Sequence, residues 1–261
     1  WLFSTGFANA GNNGFFQVTS ISVANEISVA QTSGADETAS VSFACQKLTG
    51  ITNGTTLVTF SVEKTYNDLS TTYEVISGLG VEGMSLTFSA DSILTGGFSF
   101  LGSAASSETS ASSGTIVAAA ANSIYNAVEN VSEFQENFAG MTITAFSFDL
   151  SNNLRARLEA GNLGAVSIGT GTCSISGSFT AYFSSATVFN RYLAGTTSSL
   201  ALCIKSVDST EVIVLEIPAI LLTDASRVAG GQNQDIMAEF TFEGFREATK
   251  DYSVKFAKAA I

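Results

Sequence analysis

The chain of 261 residues carries 23 acids against 11 Lys and Arg, a formal net charge of −12, with 45% hydrophobic residues and no histidine. That length suits one large all-β domain or two of ordinary size, and the hydrophobic fraction is enough to build a core. The lack of histidine excludes the Ser–His and Cys–His nucleophile arrangements and the commonest zinc ligand, and so few bases argue against nucleic-acid binding by phosphate neutralisation.

The charge is uneven: residues 1–140 hold 12 acids and 2 bases, and residues 141–261 hold 11 acids and 9 bases. Cys45, Cys173 and Cys203 are odd in number and widely spaced, which predicts buried free thiols and folding in a reducing cytosol. The apolar run Val117 to Ala121 is too short to span a bilayer. The sequence opens at Trp1 in mid-pattern, and further residues are expected upstream.

In chain order, "GFANAGNNGFFQVTSISVANEISVA" (6–30) reads as short strands around an Asn-Asn-Gly turn and an Ala-Asn turn, a compact hairpin unit. "GLGVEG" spells G-x-G-x-x-G at Gly78, Gly80 and Gly83, but a strand-like run follows where a dinucleotide site needs a helix, so a glycine-rich turn is expected. In the next run Met84, Leu86, Phe88 and Ala90 fall on one strand face, with Ser85, Thr87, Ser89 and Asp91 on the other. From Ser103 to Val131 the composition shifts to Ala, Ser, Thr and Asn, predicting a loop, hairpin arm or connection that orders against another subunit or domain.

"TITAFSFDL" alternates Phe146, Phe148 and Leu150 with Ala145, Ser147 and Asp149, and "TCSISGSFTAYF" sets Cys173, Ile175, Gly177, Phe179, Ala181 and Phe183 in register. "SATVFNRYLAG" is the one helix candidate, stopped by Gly195. "EVIVLEIPAI" is a strand almost continuously apolar, and Pro218 near its end predicts an edge or a bulge. "EFTFEGF" and "DYSVKFA" complete the strands. Aligning Leu86 with Phe146 and Phe88 with Phe148 gives a weak internal repeat, as two copies of one β-unit would.

No residue set qualifies as catalytic, cofactor-binding or metal-binding. Asp36–Glu37 reads as solvated surface, and the sequons at Asn53 and Asn130 as chance matches. Arg155 and Arg157 alternate on one strand face, where pairing with acids of a neighbouring chain is expected.

Three stretches in order, "TFSVEKTYNDL" (59–69) with "GLGVEGMSLTFSADSILTGGFSFLG" (78–102), "SFDLSNNLRARLEAGNLGAVSIGTGTCSISGSFTAYF" (147–183) and "VAGGQNQDIMAEFTFEGF" (228–245), resemble the double-domain tail tube proteins of long-tailed bacteriophages. "GFANAGNNGFFQVTSI" resembles a small β-insert of the same family. The resemblance implies two tandem β-sandwich or barrel-like tube domains with a short flanking helix. Residues 1–50 would be the insert within the first domain, 51–103 its remainder, 104–140 a low-complexity loop, arm or linker, and 141–261 the second domain. Three such chains would close a pseudo-sixfold ring, and rings would stack into a hollow tube. Partners would be the chain itself, tape-measure and tail terminator or tip proteins, and DNA passing without specific binding. No cofactor, enzymatic activity or membrane is implied, and the protein would sit in the virion tail after synthesis in the host cytoplasm. On that reading strands 84–91 and 143–150 line the bore, with Ser85, Thr87, Ser89, Asp91, Ser147 and Asp149 facing it. The alternative classes are an extracellular adhesin or surface-layer protein and a two-carboxylate carbohydrate enzyme. The latter needs aromatic platforms, and the only Trp is at the terminus.

Overall fold

The computed structural model describes residues 1–23, 26–30, 35, 44–69, 72–112, 117–119, 123–208, 210–229 and 231–260. Among these the chain is all-β, as expected, with one α-helix at Thr187–Ala194. Gly195, in the left-handed conformation with φ 59°, ends that helix where the sequence placed its stop.

Strands that alternate apolar and polar residues must bury one face. Six antiparallel neighbours do so in the order Thr95–Leu101, Tyr73–Ser89, Ile143–Ser151, Ser174–Tyr182, Ile236–Gly244 and the second half of Glu211–Ala229. Phe88, Phe146, Phe148, Phe179, Phe240 and Phe242 point inward from this layer and are buried. The first half of Glu211–Ala229 belongs to a second layer, flanked by Lys255–Ala260 and by Ser198–Lys205, which pairs in turn with Val131–Glu136. One strand therefore serves both layers.

The sheet forks at Pro218. Ser198 faces Ile220 while Leu200 faces Ile217, so the long strand carries an extra residue there. A bulge tolerates a residue with no N–H for the ladder. The expected bulge is present, but the strand continues to Ala229 instead of ending. The layers then close on each other: the Phe134 ring lies 5.7 Å from Phe146 and 5.2 Å from Phe179, neither of them on a neighbouring strand. Leu202, Leu215 and Ile217 complete this core, each buried side chain of this size contributing about 1.5–3 kcal/mol.

A third, smaller layer covers the far side of the second. Leu2–Thr5 pairs with Gly14–Phe16 and Ala44–Lys47, and Phe3, Phe15 and Leu48 pack onto Ala201, Cys203, Val212 and Val214. This is why "EVIVLEIPAI" lacks a polar face: Leu215 and Ile217 enter one core, Val212 and Val214 the other. Buried Glu216 ties the layers together, accepting from Trp1 Nε1 at 2.7 Å and Gln17 Nε2 at 3.0 Å and pairing with Lys250. Val18–Val23 and Glu26–Val29 form the expected second hairpin, whose Ala-Asn turn lies outside the described residues.

Several expectations change. The weak repeat consists of adjacent strands, with Phe88 opposite Phe146 and Leu86 opposite Phe148. Their patterns match because both line one core. Residues assigned to 51–103 and 141–261 thus share a single sheet and core across the expected boundary. From residues 1–50, Trp1, Phe3, Phe15 and Leu48 pack on strands from 141–261. The 104–140 segment supplies strands Ala104–Glu108, Val131–Glu136 and Ala139–Gly140. The glycines at 78, 80 and 83 lie within the 17-residue strand Tyr73–Ser89, not in a turn. Gly78 has φ 64°, and a Cβ there would meet Ser103 Oγ at 2.2 Å, so the strand bends only because this residue is glycine. Of the cysteines, Cys203 is buried and Cys173 half-buried, but Cys45 is exposed at the rim of the third layer.

Candidate functional site

The outward face of the first layer is the mirror of its core. Three rows cross the strands: Ser89, Ala145, Thr180, Glu239 and Ser226; Thr87, Ser147, Ser178, Thr241 and Asp224; and Ser85, Asp149, Ser176, Glu243 and Leu221. Five of the six residues expected to share a face, Ser85, Thr87, Ser89, Ser147 and Asp149, do share it. Asp91 does not: the strand ends at Ser89, and Asp91 follows in a turn at φ 64°. That turn is fixed by Ser92 Oγ, which accepts from Ser89 N at 2.9 Å and donates to Ser89 O at 2.7 Å. Aspartate tolerates the left-handed region better than most residues, which suits it to the turn.

Sequence reasoning missed Ser176, Ser178, Thr180, Glu239, Thr241 and Glu243. The signal was the polar half of the alternation in "TCSISGSFTAYF" and "EFTFEGF", of which only the apolar half was used. Gly177, on the core side between Ser176 and Ser178, has no room for a side chain: a Cβ would meet Ser147 O at 2.2 Å and the Phe242 ring at 2.6 Å. Close approach of Phe242 therefore requires glycine here.

The face carries acids and no base. Asp149 and Glu243 flank Ser176, and Asp224 and Glu239 lie on adjacent strands two residues out of register, so no two acids stand directly opposite. Acids separated by an intervening strand are roughly 10 Å apart, beyond the screening length of about 8 Å at physiological salt. The bases are held elsewhere: Arg191 on Glu136, Lys250 on Glu216, Lys258 on Glu211 and Arg246 on Asp251. Arg227 turns to the opposite side of its strand, its guanidinium 3.8 Å from the Phe189 ring centroid.

Nothing on this face is arranged for chemistry. Among the described residues no cluster of His, Cys, Asp or Glu can hold a metal. Burial pushes the Cys203 thiol well up, the nearby Glu133 carboxylate adding to the effect, so it is no nucleophile. Asp36–Glu37 lies outside the described residues. The sequon asparagines are structural: Asn53 Oδ1 accepts from Ser253 N at 2.8 Å, and buried Asn130 donates to Lys205 O at 2.9 Å. Arg155 and Arg157 do alternate along one exposed strand, Arg155–Leu158, paired with Ala165–Gly169. Neither makes an ion pair among the described residues.

The class is a layered all-β protein with one broad hydroxylated, acid-dotted sheet face. The particular kind follows from comparison: the phage tail tube protein family model matches residues 4–244, and the chain belongs to that family. It is thus a structural tail tube protein of a phage, in a family of tail components and not of enzymes. No curated protein matches it in sequence.

Proposed function

We propose that the chain assembles into rings that stack as the tail tube, with the hydroxyl and acid face of the first layer lining the channel through which DNA leaves. The observation that carries this reading is the charge sorting on the outward face of the first layer, where the described residues in the three rows include Ser, Thr, Asp and Glu and no Lys or Arg. Each base on such a wall would add a salt-dependent phosphate contact and hold the DNA back. Carboxylates repel it, and small hydroxyl groups leave it nothing to grip.

Lateral joints are supported at the two free edges of that layer, Thr95–Leu101 and residues 221–229, neither of which has an outer strand partner among the described residues. The Thr95–Leu101 edge is exposed, with Phe98 60% and Phe100 45% accessible and no charge or proline to deter pairing. An open edge of that kind is an aggregation hazard unless a neighbour covers it. Because the layer has six antiparallel strands, a neighbour related by rotation meets it antiparallel. A six-unit ring can be closed by three chains with two units or six chains with one. The single principal core shared by both halves of the chain supports six.

The test is electron microscopy of the purified protein, with native mass spectrometry to count chains per ring. Hollow tubes or stacked rings are expected. A chain that stays monomeric at every concentration and salt tried refutes assembly, and an adhesin-like surface protein would then become the better reading.

A further inference from the structure

In a ring joined edge to edge, hydrogen bonds run around the circumference and strand ends face the rings above and below. The two ends of this layer differ. Past Ser151 the chain leaves the sandwich as the hairpin Arg155–Leu158 and Ala165–Gly169, whose turn end is held by Ala165 N donating to Ser103 O at 3.0 Å. The intervening turn carries Leu163 fully exposed, and Leu158 beside it is 77% exposed. At the opposite end of the same strand, by Ile143, an open cavity of about 360 Å³ lies between the two layers. Phe88, Val131, Met141 and Ile143 line it, with Asp91 and Glu133 also on its wall. The nine residues Ile143–Ser151 separate the two features by roughly 27 Å of strand.

Resting on the tube reading, we propose that the hairpin turn of one copy of this chain seats in the cavity of a second copy in the next ring, Leu163 entering as the apolar anchor and Arg157 reaching Asp91. The occupant is identified by complementarity. Arg157 lacks an ion-pair partner among the described residues, as does Asp91. The turn's own acid, Glu159, accepts from Asn162 Nδ2 at 2.9 Å. Lys205, whose backbone bonds Asn130 beside the cavity, turns its ammonium over the Phe3 ring instead. A knob at one end and a socket at the other make a head-to-tail contact that cannot close on itself, and repetition of such a contact gives a filament.

The experiment compares wild type, Leu163→Asp, Arg157→Glu and Arg157→Glu with Asp91→Arg by negative-stain microscopy. Thermal melts of the unassembled chains serve as a folding control, since the substituted side chains are solvent-exposed. Leu163→Asp and Arg157→Glu are expected to form rings normally but at least tenfold fewer tubes, and Asp91→Arg is expected to restore tubes to Arg157→Glu. In a Cys45→Ser background, Leu163→Cys with Val128→Cys is expected to give ladders of disulfide-linked chains from tubes, collapsed by reductant. Wild-type tube yield from Leu163→Asp, or no ladder from assembled tubes, overturns the proposal and leaves the tube reading standing. Wild-type protein that forms no rings at all overturns both.

Discussion

The hydroxyls of Ser147 and Ser178 lie 2.9 Å apart across neighbouring strands, each satisfying the other. Thr87 and Thr95 do the same at 3.2 Å. Hydroxyls paired sideways within a sheet have less to offer a molecule above it, and the face stays wet without being adhesive. A smooth polar wall is thereby built from residues that could otherwise hydrogen-bond phosphate.

Reversing the charge of that wall should convert it from a slide to a brake. Asp149→Lys with Glu243→Lys places two cations on either side of Ser176. Both sites are at the surface, so tubes are expected to assemble as before. DNA ejection is expected to slow, and the slowing to ease as salt rises, each phosphate contact adding about one unit of salt dependence. Ejection at the wild-type rate in low salt would place these residues off the channel.

The Thr95–Leu101 edge makes a separate prediction about lateral joints. Phe98 stacks on Phe100 at 6.3 Å, and Phe100 meets Phe60 edge-on at 5.2 Å, so an aromatic strip borders the unpaired strand. Phe98→Asp places a charge in that strip while disturbing little of the monomer, where the side chain is mostly exposed. Sedimentation velocity should show monomers where wild type gives rings, with chemical stability changed by less than about 1 kcal/mol. Rings of normal size would mean that neighbours join elsewhere.

How far the sequence revealed this molecule depends on where its neighbours come from. Alternation exposed Phe146 and Phe148 as core and Ser147 and Asp149 as surface, because a strand's two faces are decided by residues two apart. It could not show that Phe88 and Phe146 are adjacent, since similar strands in one sheet and equivalent strands in two domains leave the same pattern. Nor could it place Asp91, because hydrogen bonds between Ser89 and Ser92 end the strand two residues before alternation would. The double burial of Val214 and Leu215 was legible as an apolar run, but its cause, a third layer built from Phe3 and Phe15, is a contact some 200 residues away in sequence.

The Arg191–Glu136 pair anchors the helix to the second layer. Glu136 is 2% exposed and also accepts from Ser198 Oγ, while Arg191 in the last helical turn is partly open to water. Arg191→Met would strand a buried carboxylate and is expected to cost about 3 kcal/mol in urea unfolding. Arg191→Met with Glu136→Gln should recover most of that loss, because it removes the charge that needs the partner. Equal instability of the single and double variants would show that the arginine acts through packing alone.

Glu133 gives the last prediction, in pH. Burial pushes its carboxyl above the ordinary value, against a hydrogen bond from Gln135 Nε2 at 2.7 Å that acts the other way. The folded chain therefore keeps this proton to higher pH than the unfolded chain does. Between the unfolded value of about 4.3 and the raised folded value, the folded state binds more protons, so this group's contribution to stability falls as pH rises. Above that window it persists as a fixed penalty. Glu133→Gln keeps the amide contact within reach and deletes the charge. Its melting temperature is expected to exceed wild type at about pH 7, with the advantage shrinking as pH falls and lost below about pH 3, where the wild-type carboxyl is itself neutral in both states. Tested on unassembled protein, a difference that stays constant across this range would assign the effect to packing and not to the buried charge.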